Sequence, residues 1–130
     1  MPNENVQSLN EIHQGLTRKP QALIVDSSPF DRGYLANMLE QLGCDVISAI
    51  VRPEEVEMQL NQHNFDLCFF SVKQPFNEIE CVRQAKRPVL YVEDTQDVAG
   101  MDLKSLGFVM LLPKPAKIED LRRLLCEFNL

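Results

Sequence analysis

The sequence predicts an α/β fold in which a five-stranded parallel sheet, with strand order 2-1-3-4-5, is doubly wound with helices on both faces. One observation is the continuous apolar run from Leu67 to Phe70, which is bounded by Asp66 and by polar residues and is typical of a strand buried on both faces. A second is the alternation of short apolar runs with amphipathic segments over residues 20–130, and a third is the shortness of the joining loops. Together they indicate right-handed strand-helix-strand units around one central strand.

Composition favours a single domain. The chain has 130 residues, 45% hydrophobic and 25% charged, which suffices for a core that needs no disulfide or metal. The formal net charge of −6 argues against direct binding of nucleic acid, or of an anionic membrane surface, by this domain. The N-terminal segment lacks the apolar core of a signal peptide, and no stretch approaches the ~20 apolar residues of a membrane span. We therefore expect a cytoplasmic protein.

Cysteine and histidine residues give no sign of a metal or redox site. The four cysteines include no CxxC pair, and three of them, Cys68 among these, fall in apolar surroundings where a free thiol acts as a small hydrophobic residue. His13 and His63 stand alone in polar surroundings. The sequence thus predicts neither a metal site nor a bound cofactor.

The first elements follow from capping and turn residues. Residues 1–19 form a polar extension, either a frayed tail or a short amphipathic helix, and the folded domain is predicted over 20–130. The first strand, Ala22–Val25, leads into a helix with Ser27 or Ser28 as N-cap and a stop at Gly43. The second strand is predicted over Asp45–Val51, and a second helix opens with Pro53 and two acids.

The second half of the chain repeats this alternation with weaker helices. Gly100 interrupts the fourth predicted helix, at a cost of up to ~1 kcal/mol relative to alanine. The predicted elements after the central strand are an abbreviated third helix over Asn77–Lys86, a fourth strand over Pro88–Val92, a weak fourth helix over Asp97–Leu106, a fifth strand over Phe108–Leu112 and a closing helix over Lys117–Phe128.

The carboxyl ends of the strands carry the candidate functional residues. In doubly wound sheets these ends meet at one edge, which is where such folds place their chemistry. The residues predicted at this edge are Asp26 with Ser27, Ser71, Glu93 with Asp94, and Lys114 with Pro115.

Four segments taken in register resemble the receiver domain of response regulators, the CheY-like family. They are ALIVDSSPFDR, DLCFFSVKQP, PVLYVED and LLPKPAKIEDL, and the resemblance covers residues 21–130. The last segment, an apolar strand followed by Lys-Pro and a helix, is the most specific of them. The resemblance implies a flavodoxin-like fold and a role in two-component or phosphorelay signal transduction.

The resemblance also assigns roles to positions, and several of those positions have changed. In the family, a carboxylate at the end of strand three accepts a phosphoryl group, and this position is Ser71 here. The acid pair that helps to hold Mg²⁺ becomes Asp26 and Ser27, and the hydroxyl residue after strand four becomes Glu93. The lysine that contacts phosphoryl oxygens is retained as Lys114, with Pro115 after it.

These departures affect chemistry. An acyl phosphate requires a carboxylate nucleophile, and a serine hydroxyl without a neighbouring base is a poor nucleophile at neutral pH. Asp66 cannot replace the missing acid because it lies five residues earlier, roughly 16 Å along the same strand. A metal site of the family's kind would lack two of its carboxylates here, because positions 27 and 71 are both serine. The resemblance therefore implies a degenerate pseudo-receiver and not an enzyme.

The predicted function is phosphorylation-independent regulation through protein–protein interaction or dimerisation. Lys114 is predicted to pair with Asp26 or Glu93 and so to hold one conformation. By analogy with the family, the fourth helix, fifth strand and fifth helix would form a mixed-charge homodimer face. Its predicted residues are Asp102, Lys104, Lys117, Glu119, Arg122 and Arg123.

Four alternatives remain at this stage. One is a regulator that still accepts a phosphoryl group through another acid. Another is a flavin carrier, which the segment SSPFDR after strand one disfavours, since that segment has two serines and no glycine follows the strand until Gly33. A third is a small-molecule or anion site near Lys114, Lys73 and Ser27. The fourth is the N-terminal regulatory domain of a longer transcription or antitermination regulator.

Overall fold

A single parallel sheet organises the molecule. The computed structural model describes residues 18–49, 52–71 and 80–130, and within them five strands lie in the order 2-1-3-4-5. All four strand pairs are parallel, so the predicted fold class is confirmed. In chain order the elements are β1 (Gln21–Asp26), α1 (Pro29–Gln41), β2 (Asp45–Ala49), α2 (Pro53–Gln62), β3 (Leu67–Ser71), a first 3₁₀ helix (Glu80–Gln84), β4 (Pro88–Val92), a second 3₁₀ helix (Thr95–Val98), β5 (Met110–Pro113) and α3 (Ile118–Glu127).

The central strands are buried on both faces, as their continuous apolar sequence predicts. Because side chains alternate along a strand, Cys68 and Phe70 pack into one core cluster, whereas Leu67 and Phe69 pack into the other. The first cluster includes Val56 of α2, and the second includes side chains of α1 and α3. The helices therefore cover the sheet from two sides.

Local capping fixes where α1 begins and ends. The sequence left Ser27 and Ser28 open as N-cap, and the structure selects Ser28, whose hydroxyl accepts a hydrogen bond from the Asp31 amide at 3.2 Å. At the other end Gly43 has a φ of +94°, a left-handed conformation that a glycine adopts without the steric cost of a side chain.

The predicted fourth α-helix over Asp97–Leu106 is wrong. Only the short 3₁₀ helix Thr95–Val98 forms there, followed by turns up to Gly107. Gly100 and Gly107 both have positive φ, at +82° and +105°, so the backbone leaves helical geometry twice. The apolar residues that suggested a helix, including Leu103 and Leu106, still pack against the first core cluster from these turns.

Other predicted boundaries shift or cannot be compared. The third helix appears as the 3₁₀ turn Glu80–Gln84, and the start of the predicted segment, Asn77–Ile79, lies outside the described residues. β5 begins two residues later than predicted, at Met110. The N-terminal extension up to residue 17 and the end of the second predicted strand, residues 50–51, also lie outside the described residues. Within the described ranges, no helix has the length and apolarity needed to cross a membrane.

Candidate functional site

The carboxyl edge of the sheet brings the predicted strand-end residues together. Asp26 and Ser71 are register partners at the ends of β1 and β3. Farther along the same edge, the Lys114 amide donates a hydrogen bond to the Val92 carbonyl at 2.6 Å and so joins the residue after β5 to the end of β4. Asp26 joins the end of β1 to the residue after β5, because its carboxylate contacts the Lys114 amine.

Lys114 makes two ion pairs. Its Nζ lies 2.9 Å from Oδ2 of Asp26 and 2.8 Å from Oδ2 of Asp31. We call these three side chains the Lys114 cluster. Lys114 is 10% exposed, Asp26 is 3% exposed and Asp31 is 27% exposed. Of the two partners that the sequence suggested for Lys114, the structure shows Asp26; Glu93 is exposed at the end of β4.

The two carboxylates set the charge state of the lysine. Burial alone would lower the pKa of the Lys114 ammonium, but its hydrogen bonds to Asp31 and Asp26 outweigh burial and raise the pKa above its ordinary value. The amine is therefore charged at neutral pH. One cation facing two carboxylates gives the Lys114 cluster an excess of negative charge.

The start of α1 holds both acids in place. The Ser28 amide donates a hydrogen bond to Oδ1 of Asp26 at 2.9 Å, and Arg32 donates to the Asp26 backbone carbonyl. Asp31 lies in the first turn of α1, where the helix dipole favours a negative charge. The turn that caps the helix thus also positions the two carboxylates that bind Lys114.

Two tyrosines fix the loop that carries Lys114. The Ala116 amide donates to the Tyr91 hydroxyl at 3.2 Å, and the Tyr34 hydroxyl donates to the Ala116 carbonyl at 3.0 Å. The Lys114 Nζ lies 5.1 Å from the centroid of the Tyr91 ring, within cation–π range. The Lys114–Pro115 peptide bond in this loop is cis. Both the backbone and the side chain of Lys114 therefore have defined partners.

The other predicted site residues lie outside the Lys114 cluster. Asp94 caps the second 3₁₀ helix, where its carboxylate accepts a hydrogen bond from the Gln96 amide at 2.9 Å. Ser27 is exposed and Ser71 is partly exposed at the end of β3. Within the described part of the chain, no side chain forms a hydrogen bond with the Ser71 hydroxyl, although Asp26 is its register partner. Lys73, which the sequence placed near a possible anion site, lies outside the described residues. An anion at Lys114 would have to share the amine with Asp26 and Asp31 or displace one of them.

Sequence reasoning missed Asp31. The roles that the resemblance assigns concern only residues at strand ends, whereas Asp31 lies on the helix that follows β1. The available signal was an acid in the first helical turn, five residues after Asp26, but that position is also explained by the helix dipole alone. Only the approach of Lys114 from the other end of the chain shows its second role.

The described residues contain no group of three or more histidine, cysteine, aspartate or glutamate residues arranged to hold a metal ion. The buried cysteines are also unsuited to nucleophilic chemistry at neutral pH. Burial raises the pKa of Cys44 to about 11 and that of Cys68 to about 12. Cys81 is buried as well, and Cys126 is exposed.

The predicted dimer face keeps its exposed charges but loses its first helix. All six residues named for this face are exposed, yet Asp102 and Lys104 lie on turns because the fourth α-helix is absent. Beside the remaining four, the edge strand β5 and helix α3 border an open groove of 380 Å³. Its lining combines apolar side chains with charges of both signs, from Asp120, Arg123 and Glu127.

Comparisons with known proteins show the fold. No family model matches the chain. No curated protein matches it either. Among solved structures, the chain is similar to a response regulator from Thermotoga maritima, with a TM-score of 0.73 and 20% identity over 85% of this chain and 98% of that chain. It is similar to a CheY-like receiver domain from Methylobacillus flagellatus, with a TM-score of 0.71 and 20% identity over 85% and 98% of the two chains.

A third structure is the most similar of these in sequence. A response regulator receiver protein from Pseudomonas putida has 25% identity and a TM-score of 0.68, over 84% of this chain and 97% of that chain. The chain thus matches CheY-like receiver domains in structure over nearly their whole length.

Proposed function

We propose that this chain is a receiver-like regulatory domain that acts in signal transduction through protein–protein interaction, independently of aspartyl phosphorylation. The observation that carries this proposal is the pairing of Lys114 with Asp26 and Asp31, next to a strand end that carries Ser71 in place of an acid. A phosphoryl group would need a carboxylate to accept it and a lysine free to contact its oxygens. The end of β3 offers a hydroxyl at the position of the acceptor, and the lysine is already paired with Asp26 and Asp31.

The same geometry supports a single stable conformation. In a switching domain, a ligand or modification must bind one conformation more tightly than another. Here the lysine already has its counter-charges inside the protein, and Glu93 is exposed where the resemblance implies a small hydroxyl residue. The proposed domain therefore contributes a constant surface to an assembly.

The direct test is chemical. The native chain is incubated with acetyl phosphate and Mg²⁺, and its intact mass is measured over time beside a receiver domain that has the usual aspartate. We expect the mass of this chain to stay unchanged while the reference protein gains one phosphoryl group. A labile phosphoryl gain on the native chain would contradict the proposal and support a phosphoryl-accepting regulator that uses another acid.

The surface formed by β5 and α3 is the proposed site of self-association. Its exposed charges of both signs, from Lys117 to Glu127, suit a two-fold contact in which the same patch meets itself. β5 is an edge strand of the sheet, so its outer side is open to a partner.

Charge reversal tests this surface. Arg123→Glu should reduce the concentration-dependent rise in mass measured by sedimentation equilibrium, because it places a like charge opposite acidic groups. Arg52→Glu is the matched control, since Arg52 is exposed at the start of α2, on the opposite face of the sheet. Equal masses for the native chain and both variants at all concentrations would exclude a homodimer through this face and leave a different protein as the partner.

A further inference from the structure

Asp31 has no counterpart among the positions that the resemblance assigns, yet it makes the shorter of the two contacts with Lys114, 2.8 Å against 2.9 Å for Asp26. Its backbone is fixed independently of Lys114, because its amide donates to the Ser28 N-cap. Its carboxylate is therefore presented to the Lys114 amine from a rigid helical turn.

The contacts of the Lys114 amine define what another anion would have to compete with. A lysine ammonium has three N–H donors and no acceptor. Two are directed to Asp26 and Asp31, and the Tyr91 ring lies 5.1 Å from the nitrogen. One N–H remains for a phosphoryl oxygen, which would approach an amine that two carboxylates already bind. To draw the lysine away from α1, a phosphoryl group would have to compete with both of them.

We propose that Asp31 is a positioning residue that holds Lys114 toward α1, an inference that rests on the function proposed above. Asp31 would then be a second obstacle to phosphoryl binding, independent of the missing acid at position 71. Restoring acids at positions 27 and 71 would then be insufficient, because Asp31 would still compete for the lysine. The negative charge of Asp31 would also oppose the arrival of a phosphoryl dianion in a cleft that already contains Asp26.

A simpler explanation of Asp31 is that it only stabilises the start of α1. An acid in the first turn contributes about 0.3–1 kcal/mol through the helix dipole, with or without a lysine partner. That role would affect stability but not the ability of an acid-restored cleft to accept phosphate. The two explanations therefore predict different results for the same substitution.

The test compares three single substitutions, each added to the same doubly substituted protein. The background carries Ser27→Asp and Ser71→Asp, and to it are added Asp31→Asn, Asp31→Glu or Glu40→Gln. Glu40 is an exposed acid on the same helix, without an ion pair among the described residues, so Glu40→Gln makes the same change of charge away from the lysine. Each protein receives acetyl phosphate and Mg²⁺. Transfer of the phosphoryl group to the carboxylate introduced at position 71, with release of acetate, is followed by intact mass.

We expect Asp31→Asn to raise the initial rate of phosphoryl uptake at least about tenfold over the background, which corresponds to ~1.4 kcal/mol in the barrier. Asp31→Glu and Glu40→Gln should leave the rate near that of the background. Equal uptake by all variants, or no uptake by the Asp31→Asn variant, would overturn the inference. Uptake by the native chain would instead contradict the proposed function, so the two failures are distinguishable.

A second measurement does not depend on phosphoryl transfer. In ¹⁵N-labelled native protein, the Lys114 ammonium should exchange its protons slowly enough to give a distinct NMR signal, because two carboxylates accept from it. Asp31→Asn alone should weaken that signal, whereas Glu40→Gln should not. An unchanged signal in Asp31→Asn would show that Asp26 alone holds the lysine and would overturn the inference.

Discussion

Replacing Lys114 by alanine should destabilise the fold by about 3 kcal/mol. Removing one partner of a buried ion pair costs about 3–5 kcal/mol, because the remaining charge stays buried without compensation. Asp26 is 3% exposed and bears this cost, whereas Asp31 is 27% exposed and can be partly hydrated, so the lower end of the range applies. The free energy of unfolding of a domain of this size is about 5–15 kcal/mol, so the expected loss is a large fraction of the total stability.

Urea denaturation followed by far-UV circular dichroism measures this change. The midpoint should fall while the slope stays constant, since the surface exposed on unfolding hardly differs. Lys104→Ala is the control: Lys104 is exposed on a turn, and its loss should change stability by no more than about 0.5 kcal/mol. A Lys114→Ala cost below about 1 kcal/mol would refute the reasoning, because it would mean that the Lys114 cluster behaves as a solvated surface pair.

The pH dependence of the same difference gives a further check. The pKa of Lys114 is raised in the folded state, so its contribution to stability is fully present below the ordinary lysine value of 10.5 and is lost as the pH rises through the folded-state pKa. The stability gap between the native chain and Lys114→Ala should therefore be constant near neutral pH and should narrow only in strongly alkaline solution. Narrowing between pH 7 and pH 9 would contradict this assignment.

Three further outcomes are expected. In iodoacetamide labelling, Cys126 should react quickly while the three buried thiols react only after unfolding; rapid labelling of a second thiol would contradict their burial. Burial alone would raise the pKa of Asp66, but hydrogen bonds from Arg18 and from a backbone amide lower it. The stability lost in Arg18→Ala at pH 7 should therefore shrink as the pH falls below 3.8 through the folded-state pKa, and a loss that does not shrink at all below pH 3.8 would contradict this ion pair. Tyr34→Phe should cost about 1 kcal/mol in urea denaturation by removing the hydrogen bond to Ala116, and no measurable cost would show that water replaces it.

Much of the fold was predictable because the central strands are buried on both faces. Leu67–Phe70 and Pro88–Val92 are apolar throughout, and this pattern has few structural explanations in a chain of this length. The start of α1 was also predictable to within one residue, because a serine cap and Pro29 act through local geometry.

The errors arise where apolar spacing does not distinguish a helix from a series of turns. Leu103 and Leu106 have helical spacing, but they reach the core from turns between two glycines with positive φ. Phe108 was assigned to the fifth strand for its apolarity, and it precedes the strand while packing edge-on against Phe70 at 6.2 Å.

The site was predictable only in part, for a related reason. Asp26 and Lys114 were found from their positions at strand ends. The role of Asp31 depends on a residue 83 positions away, and no local pattern reports such a contact.

The Lys114 cluster joins the first strand and helix of the domain to its last loop, across 83 and 88 positions of sequence. Closing a loop of that length carries an entropic cost that short-range turns do not have. The acids near the start of the chain consequently remain without their cation until the last strand has docked. Formation of this cluster therefore requires a long-range closure, and a nascent chain that lacks its final segment would carry two acids at the end of the sheet without the lysine that pairs with them.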